Sequence, residues 1–453
     1  MILKISDNGN IHVPSSACQA PDLKTVSFAT LGCKTNQFES ASMQETLRNA
    51  GYQVVSLDAG AELVIVNTCT VTSATDAQSR NLIRRARRLN TSCRVVVTGC
   101  YAQVDPNALH DLPGVSLVIG NEEKQRLLEF LKKERDSTYV EVSDIRKAET
   151  VCLQPLTSFA SRSRAFVQIQ NGCDAFCSYC IIPYARGASR SARPDAILQQ
   201  VSGLVESGYR EIVLTGIHIG GYGADLQVPV TLNDLVQHIE QKTKVHRLRL
   251  GSIEPTELTD ELLESIAASR VICPHLHIPL QSGDDDVLQR MGRTYSTVFF
   301  ARLVNKIRDV LPLSAICLDV ITGFPGETDR QFENSFDFIA DLPVTDLHVF
   351  PYSKRPGTPA ETLPDQIPGD VSRERAARLR HLAAEKYRLF AESFIGQELE
   401  VIVEDGKKAG LLKGMSRNYL DIRFPGESSL AGQCLMVKPT SWIDDALRAE
   451  PVT

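Results

Sequence analysis

The chain has 453 residues, 43% of them hydrophobic and 23% charged, with a formal net charge of -6. This composition excludes wholesale disorder, and the length exceeds one small core; at ~100–200 residues per domain it implies two to four. The acidic balance excludes a uniformly basic nucleic-acid coat, although local basic patches remain open.

No uninterrupted apolar run approaches the ~20 residues a bilayer requires, and the start MILKISDNGN lacks the charged-then-apolar order of a signal peptide. The expectation is a cytoplasmic protein with no membrane partner. Twelve cysteines in a reducing compartment point to metal ligation, catalysis or burial rather than to disulfides.

Residues 1–24, with Pro14, Pro21 and Cys18, read as a loosely attached extension. From Thr25 a strand–turn–helix pattern repeats: TVSFAT, the helix SASMQETLRNA up to Gly51, ELVIVNT, a helix over 75–89, RVVVTG, VSLVIG and the helix EEKQRLLEFLKK. The alternation predicts an α/β domain over 25–136 with a parallel, Rossmann-like sheet. Residues 137–158, which include Pro155, read as a linker.

Six further strands are predicted over 159–390, at 165–170, 211–216, 246–252, 275–280, 315–323 and 346–352, with amphipathic helical stretches between them. That is a partial (β/α)6 barrel, whose sites lie at the carboxyl ends of its strands. After an Arg- and Ala-rich helix at 371–394, the segment 391–448 turns to short alternating strands with Gly turns: ELEVIVED, GLLKGMS, NYLDIRFPG and GQCLMVKPT. They predict a small antiparallel β-barrel.

The stretch NGCDAFCSYCIIPYARG (171–187) places Cys173, Cys177 and Cys180 directly after the first barrel strand. Structural zinc takes four ligands, and the stretch offers three with no neighbouring His or Cys. Three thiolates suit an iron–sulfur cubane that keeps one iron open for a substrate or cofactor.

CDAFCSYC resembles the signature of the radical S-adenosylmethionine enzymes, whose open iron is chelated by the amino and carboxylate groups of the cofactor. The resemblance implies a 5′-deoxyadenosyl radical, with the hard chemistry carried by the cofactor. It also implies cofactor contacts: Tyr179 near adenine, Thr215 and Gly216 of LTGIHIG at the amino group, Arg249, Ser252 and Glu254 of RLGSIEP at ribose and carboxylate, and Gly323 of ITGFPGET beside adenine. Taken singly these residues are weak signals, since glycines make turns and an acidic residue is often a solvated charge. Their coincidence with strand ends strengthens them jointly.

Three more cysteines follow the first, second and third long strands of the N-terminal domain: Cys33 in LGCKTNQ, Cys69 in NTCTVT and Cys100 in TGCYAQ. Ligand sites of open α/β sheets form at such strand ends. Cysteine is also a common core residue, so position alone leaves a metal site and three buried thiols both open.

LGCKTNQ, NTCTVT, TGCYAQ, YCIIPYARG, LTGIHIG, HIPLQSG and VFPYSKRPGTP together resemble the methylthiotransferase family, closest to its branch acting on N6-threonylcarbamoyladenosine at position 37 of tRNA. The resemblance runs from about residue 24 to the terminal barrel, which is similar to an RNA-binding TRAM domain. It implies two 4Fe-4S clusters, one on Cys33, Cys69 and Cys100 that handles sulfur and one on Cys173, Cys177 and Cys180 that cleaves S-adenosylmethionine. Hydrogen is then taken from adenine C2, a C–H bond that acid–base residues could not break. An electron donor, a sulfur source and a tRNA substrate are the implied partners. Isopentenyladenosine in tRNA, a ribosomal-protein aspartate, and a non-catalytic metal-containing RNA-binding protein are the alternative readings.

For RNA contact, the helix SRNLIRRARRLN offers Arg80, Arg84, Arg87 and Arg88 opposite an apolar face of Leu82, Ile83, Ala86 and Leu89. A solvated basic face reads equally well. RGASRSAR, beside the cysteine loop, offers Arg186, Arg190 and Arg193, and the terminal barrel offers Lys413, Arg417, Arg423 and the ring of Tyr419. Cys93, Cys152, Cys273, Cys317 and Cys434 read as packing residues, and His218, His275 and His277 as hydrogen-bonded barrel histidines.

Overall fold

The computed structural model describes residues 24–133, 137–151, 153, 156–159, 163–408 and 410–452. The extension at 1–23, with Cys18, and the lone Cys152 lie outside the described residues.

Six strands, β1 (Thr25–Thr30), β2 (Gln53–Val54), β3 (Leu63–Thr68), β4 (Arg94–Gly99), β5 (Val115–Ile119) and β6 (Tyr139–Glu141), form a parallel sheet in the order β2-β1-β3-β4-β5-β6. β3 is buried throughout and β4 at all but its first residue, as expected of strands covered on both faces. Val64, Val66, Val95 and Val97 pack against Ile83 and Ala86 of the helix Ser73–Leu89 on one face. Ile65, Val96 and Leu117 pack against Leu47 and Phe130 on the other. The sixth strand comes from the expected linker. EEKQRLLEFLKK, expected as one helix, divides into a 3-10 turn (Glu123–Arg126) and a short helix (Leu127–Leu131).

The first long helix, Lys34–Asn49, begins immediately after Cys33, earlier than its apolar pattern predicts. Its first turns bury polar residues, which periodicity does not register. Asn36 donates to the carbonyls of Leu31 (2.7 Å) and Thr68 (3.0 Å), and Asn67 donates to the Asn36 carbonyl (2.9 Å) and to Ser40 (3.0 Å). These bonds lock the helix start to the ends of β1 and β3.

The barrel is two parallel three-stranded sheets. Arg164–Gln168, Glu211–Thr215 and Arg247–Arg249 make one, and His275–Gln281, Ala315–Thr322 and Asp346–Pro351 the other. Single bridges, Leu248 to Ile272 and Ser252 to His277, join them into an open six-stranded barrel. Phe38 and Ala41 of the N-terminal helix belong to the barrel's own core, so the two domains share packing.

Five strands over Leu399–Pro451 close the terminal barrel. Four pairings are antiparallel, and Asp421–Phe424 runs parallel to Ala446–Pro451. That fifth strand was not predicted. It is set by a two-residue turn in which Asp444 and Asp445 both take positive φ (51° and 57°), the hairpin geometry that Asp tolerates.

The terminal barrel is bolted to the larger one through Glu211, which is fully buried. Its carboxylate lies 2.9 Å from Arg247 Nε and accepts from Arg249 Nε at 2.8 Å. Arg249 also donates to the carbonyls of Arg417 (2.9 Å) and Ser416 (3.2 Å), and its guanidinium lies 4.9 Å from the centre of the Tyr419 ring. Arg249, expected at the cofactor, is therefore a joint between domains: its donors are taken up by the Glu211 carboxylate and by backbone oxygens of the terminal barrel. Burial alone would raise the Glu211 carboxyl, but Arg249 and Arg247 overcome it and hold it at about 2. A carboxyl depressed from its ordinary value near 4.5 stabilises the fold above that pH and releases the contribution as pH falls towards 2, on the order of 3 kcal/mol. Scanning calorimetry should show a flat unfolding midpoint above pH 5 and a steep fall below 4.5. Glu211→Gln should flatten the acid limb and lower the midpoint at neutral pH; an unchanged acid limb would show that Glu211 does not couple the two domains.

Candidate active site

Cys173, Cys177 and Cys180 sit on the loop leaving the first barrel strand, at the barrel mouth. The loop starts at Gly172 (φ 78°), where a side chain would collide with the Ala188 backbone. It is fastened by Cys173 N to Gly187 O (3.0 Å), Ser178 N to Met291 O (2.9 Å) and Ala360 N to Ser178 O (2.8 Å). Gln170 ties it to the neighbouring strand end: its Nε2 donates to Gly172 O (2.7 Å), while its Oε1 accepts from the backbones of Ile217 (3.0 Å) and His218 (2.8 Å). Gly216 packs against the same Gln170.

Each thiol has a charged or ionisable neighbour. Arg293 donates to Cys177 Sγ (3.3 Å), to Tyr295 (3.0 Å) and to Glu254. His218 lies 3.9 Å from Cys173 Sγ and 2.8 Å from Glu257. The Cys180 thiol is pushed up to about 12, mainly by burial and then by the charges of Cys177 and Cys173. Such thiols ionise together only when a cation compensates them, which suits iron.

The second set is assembled by sheet order. Cys33, Cys69 and Cys100 follow β1, β3 and β4, which are adjacent in the sheet. Gly32 (φ 90°) lets Cys69 close in, because a Cβ there would stand 2.8 Å from its sulfur. Burial, then Cys100 and Cys33, push the Cys69 thiol up to about 11. All six thiols are free. The donor set again fits a three-thiolate iron centre with one position open.

A cavity of about 240 Å³ lies beside Cys180 and the loop that follows Cys69. Cys180, Tyr179 and Ile182 line it from the barrel-mouth loop, Val71 and Thr72 from the loop just after Cys69, and Asp319, Ile321, Phe350 and Tyr352 from the last barrel strands. Tyr179 also packs on Val287, Met291, Phe324 and Ala360. Thr215 is buried and its carbonyl accepts from Ile169 N (2.8 Å). Ser252 is half-buried at the bridge to His277, and Gly323 N donates to Glu327 (2.7 Å).

Most of the expected RNA contacts are engaged elsewhere. Arg186 is fully buried, donating to Cys100 Sγ (3.2 Å), Glu39 and Asn36; it joins barrel to N-terminal domain and is unavailable to RNA. Arg190 is buried on the Ala188 carbonyl (2.9 Å) and beside Glu122 (3.3 Å), which leaves Arg193 as the exposed member. Lys413 pairs with Glu404 (2.9 Å), Arg417 donates to Arg270 O (2.6 Å), Arg423 is nearly buried, and the Tyr419 ring stacks on His275 at 4.4 Å. On the basic helix, Arg84 and Arg88 are exposed, Arg80 donates to Tyr101 (2.8 Å) and Arg87 turns inward to the Cys93 carbonyl (3.2 Å); Leu89, expected inside, is 40% exposed.

Sequence reasoning missed Gln170, Arg293 and Arg355. Arg355 donates to Thr70 and Asp76 (2.7 Å each), fixing the loop after Cys69 to the barrel. Its signal lay in the quoted VFPYSKRPGTP; for Arg293 nothing short of the fold shows that Cys177 lies opposite.

The model of an uncharacterized protein family, UPF0004, matches residues 25–120, and that of the radical SAM superfamily matches 167–339. A threonylcarbamoyladenosine tRNA methylthiotransferase MtaB from Bacillus subtilis is 40% identical over 423 residues, covering 92% of this chain and 94% of its own. A tRNA-2-methylthio-N(6)-dimethylallyladenosine synthase from Desulfitobacterium hafniense is 32% identical, covering 92% and 96%. The chain belongs to the radical SAM tRNA methylthiotransferase family. Among solved structures, the radical S-adenosylmethionine methyltransferase TsrM from Kitasatospora setae, with cobalamin and a 4Fe-4S cluster bound, aligns with TM-score 0.57 at 16% identity, over 75% of this chain and 77% of its own, a likeness of fold. The family's cofactors are S-adenosylmethionine and 4Fe-4S clusters, and its members transfer a sulfur-containing group to tRNA. No helix of the described residues is long and apolar enough to cross a membrane.

Proposed function

We propose that this enzyme adds a methylthio group to C2 of N6-threonylcarbamoyladenosine at position 37 of tRNA. The observation that carries the reading is the single cavity bordered both by Cys180 and by the loop after Cys69. A reaction that breaks a C–H bond and installs sulfur needs two reagents at one carbon, and here a thiol of one set and the loop that follows a thiol of the other border one space.

When bound, the cluster of Cys173, Cys177 and Cys180 with S-adenosylmethionine supplies the radical chemistry, and the cluster of Cys33, Cys69 and Cys100 supplies the sulfur. The chain's own residues hold and orient. Arg293 donates to Cys177 Sγ and is itself oriented by Glu254 and Tyr295. Tyr179, Phe350 and Tyr352 give the cavity aromatic walls for a base or an adenosyl group. Arg186 and Arg355 fix the distance between the two sets by joining each cysteine-bearing loop to the other domain. The expected cofactor contacts of Tyr179, Thr215, Gly216, Ser252, Glu254 and Gly323 belong to this reading, as do a cytoplasmic location, a one-electron donor, a sulfur source and a TRAM-like RNA role for the terminal barrel, with Arg193 the freest arginine near the mouth.

The test is nucleoside mass spectrometry of tRNA from cells lacking the gene and from complemented cells. The 2-methylthio derivative of threonylcarbamoyladenosine should vanish in the first and return in the second. Its persistence, with loss of the dimethylallyl counterpart instead, would move the enzyme to the other branch.

A further inference from the structure

Below the main cavity lies a second one, whose lining includes Lys34, His275, His277, Asp346 and His348. The two meet at Asp319, which lines the upper cavity and binds both His277 (2.8 Å) and His348 (3.2 Å) of the lower. The lower cavity is walled by barrel strands, by Asn418 and Tyr419 of the terminal barrel, and by Lys34 of the N-terminal domain. Lys34 is half-buried, and its ammonium makes no ion pair or hydrogen bond among the described residues. A half-buried ammonium that lines a cavity without a partner is a place where an anion would be stabilised.

Its place in the chain gives that anion a meaning. Lys34 follows Cys33, so their Cα atoms are ~3.8 Å apart. In adenine C2 lies between N1 and N3, three bonds from N6 and three from the ribose-bearing N9, so a base whose C2 faces the Cys33 centre brings both its N6 substituent and its ribose close to that centre. A lysine of that reach meets either side of the ring, and of the two only the N6 substituent carries a carboxylate. A threonylcarbamoyl group ends in a carboxylate, whereas a dimethylallyl group is apolar throughout.

We propose that Lys34, flanked by His277 and His348, holds the carboxylate of the threonyl group on the substrate base and so selects an acidic N6 side chain over an apolar one. The proposal rests on the substrate reading above. Asp319, the carboxylate facing this site, is already spent on the two imidazoles, and its hydrogen bond holds His348 towards the protonated form. Asp346, at the cavity floor, is raised by burial and accepts from Leu347 N at 2.7 Å. Arg249, Arg164 and Glu211, which also act on Lys34, are locked in the domain joint.

The test uses reconstituted holoenzyme and three matched tRNAs: one with the threonylcarbamoyl group, one with its carboxylate converted to the carboxamide, and one with a dimethylallyl group. Wild type should lose roughly 100-fold in kcat/KM on the carboxamide, mostly through KM, because buried donors are left unpaired. Lys34→Met should lose about as much on the acid and nothing further on the amide, the non-additivity expected of a direct pair. Lys34→Arg should keep part of the preference. Fluorescence anisotropy with the matching anticodon stem-loops should show the same pattern in Kd, and iron content reports whether the variants keep their clusters. If Lys34→Met loses iron, the wild-type acid-to-amide ratio and His348→Gln decide the matter. Equal wild-type efficiency on acid and amide overturns this proposal and leaves the substrate reading intact. Activity on the dimethylallyl tRNA alone overturns both. Stoichiometric zinc lost on Cys317→Ser would also overturn it, since Cys317, His277 and His348 have donor atoms within 4.8 Å and would then be committed to metal.

Discussion

Cys177→Ala is expected to bring cleavage of S-adenosylmethionine below detection, whereas Cys33→Ala leaves cleavage measurable and stops formation of the methylthio product. The two thiols belong to separate sets on separate domains, and each set has only three members, so loss of one leaves too few ligands to hold a cubane. Cys177 is buried and takes a hydrogen bond from Arg293, so alanine there removes a ligand and leaves the guanidinium to Glu254 and Tyr295. The Cys33 thiol is exposed at the helix start, where alanine costs the fold little. The measurement is 5′-deoxyadenosine by chromatography beside nucleoside mass spectrometry on the same reaction. Equal loss of both products in both variants would sink the division of labour between the clusters.

Spacing alone revealed the barrel-mouth set, because all three ligands lie on one loop. The set on Cys33, Cys69 and Cys100 has no linear signature; it became legible through the strand pattern, since VIVNT and VVVTG are runs buried on both faces whose ends must lie together. Charges were misread for a physical reason. A sequence shows that Arg186, Arg249 and Arg417 are cationic but not that Glu39, Glu211 and backbone carbonyls of other domains wait for them, and arginines of this kind act over separations of 38 to 168 residues. Lys34 went unremarked because it stands beside a more conspicuous neighbour. The Lys34–Asn49 helix start was hidden because its buried face is polar, so the hydrogen-bond partners that justify it exist only once β1 and β3 are in place.

Arg186→Ala should cost about 3–5 kcal/mol of stability, the usual result of breaking a buried ion pair from one side. Arg186 is fully enclosed, and its removal leaves Glu39 with Lys124 as its one remaining ion-pair partner among the described residues. Burial by itself would raise the Glu39 carboxyl; Arg186 and then Lys124 bring it down to about 2, so the larger compensating partner leaves with the arginine. Arg186→Lys should rescue little, because one ammonium cannot reach Glu39, Asn36 and the Cys100 sulfur at once. Adding Glu39→Gln to Arg186→Ala should restore part of the stability, since it removes the stranded charge. Urea unfolding followed by fluorescence reads these differences, and iron content reports whether the centre on Cys100 loosens with the joint. An arginine that touched tRNA would behave otherwise: stability would hold, tRNA affinity would fall, and the slope of log affinity against log salt would shrink by about one. A stable variant with that salt signature would return Arg186 to the RNA surface. A destabilised one with an unchanged salt slope fixes it as the strut that holds the sulfur-bearing domain over the barrel.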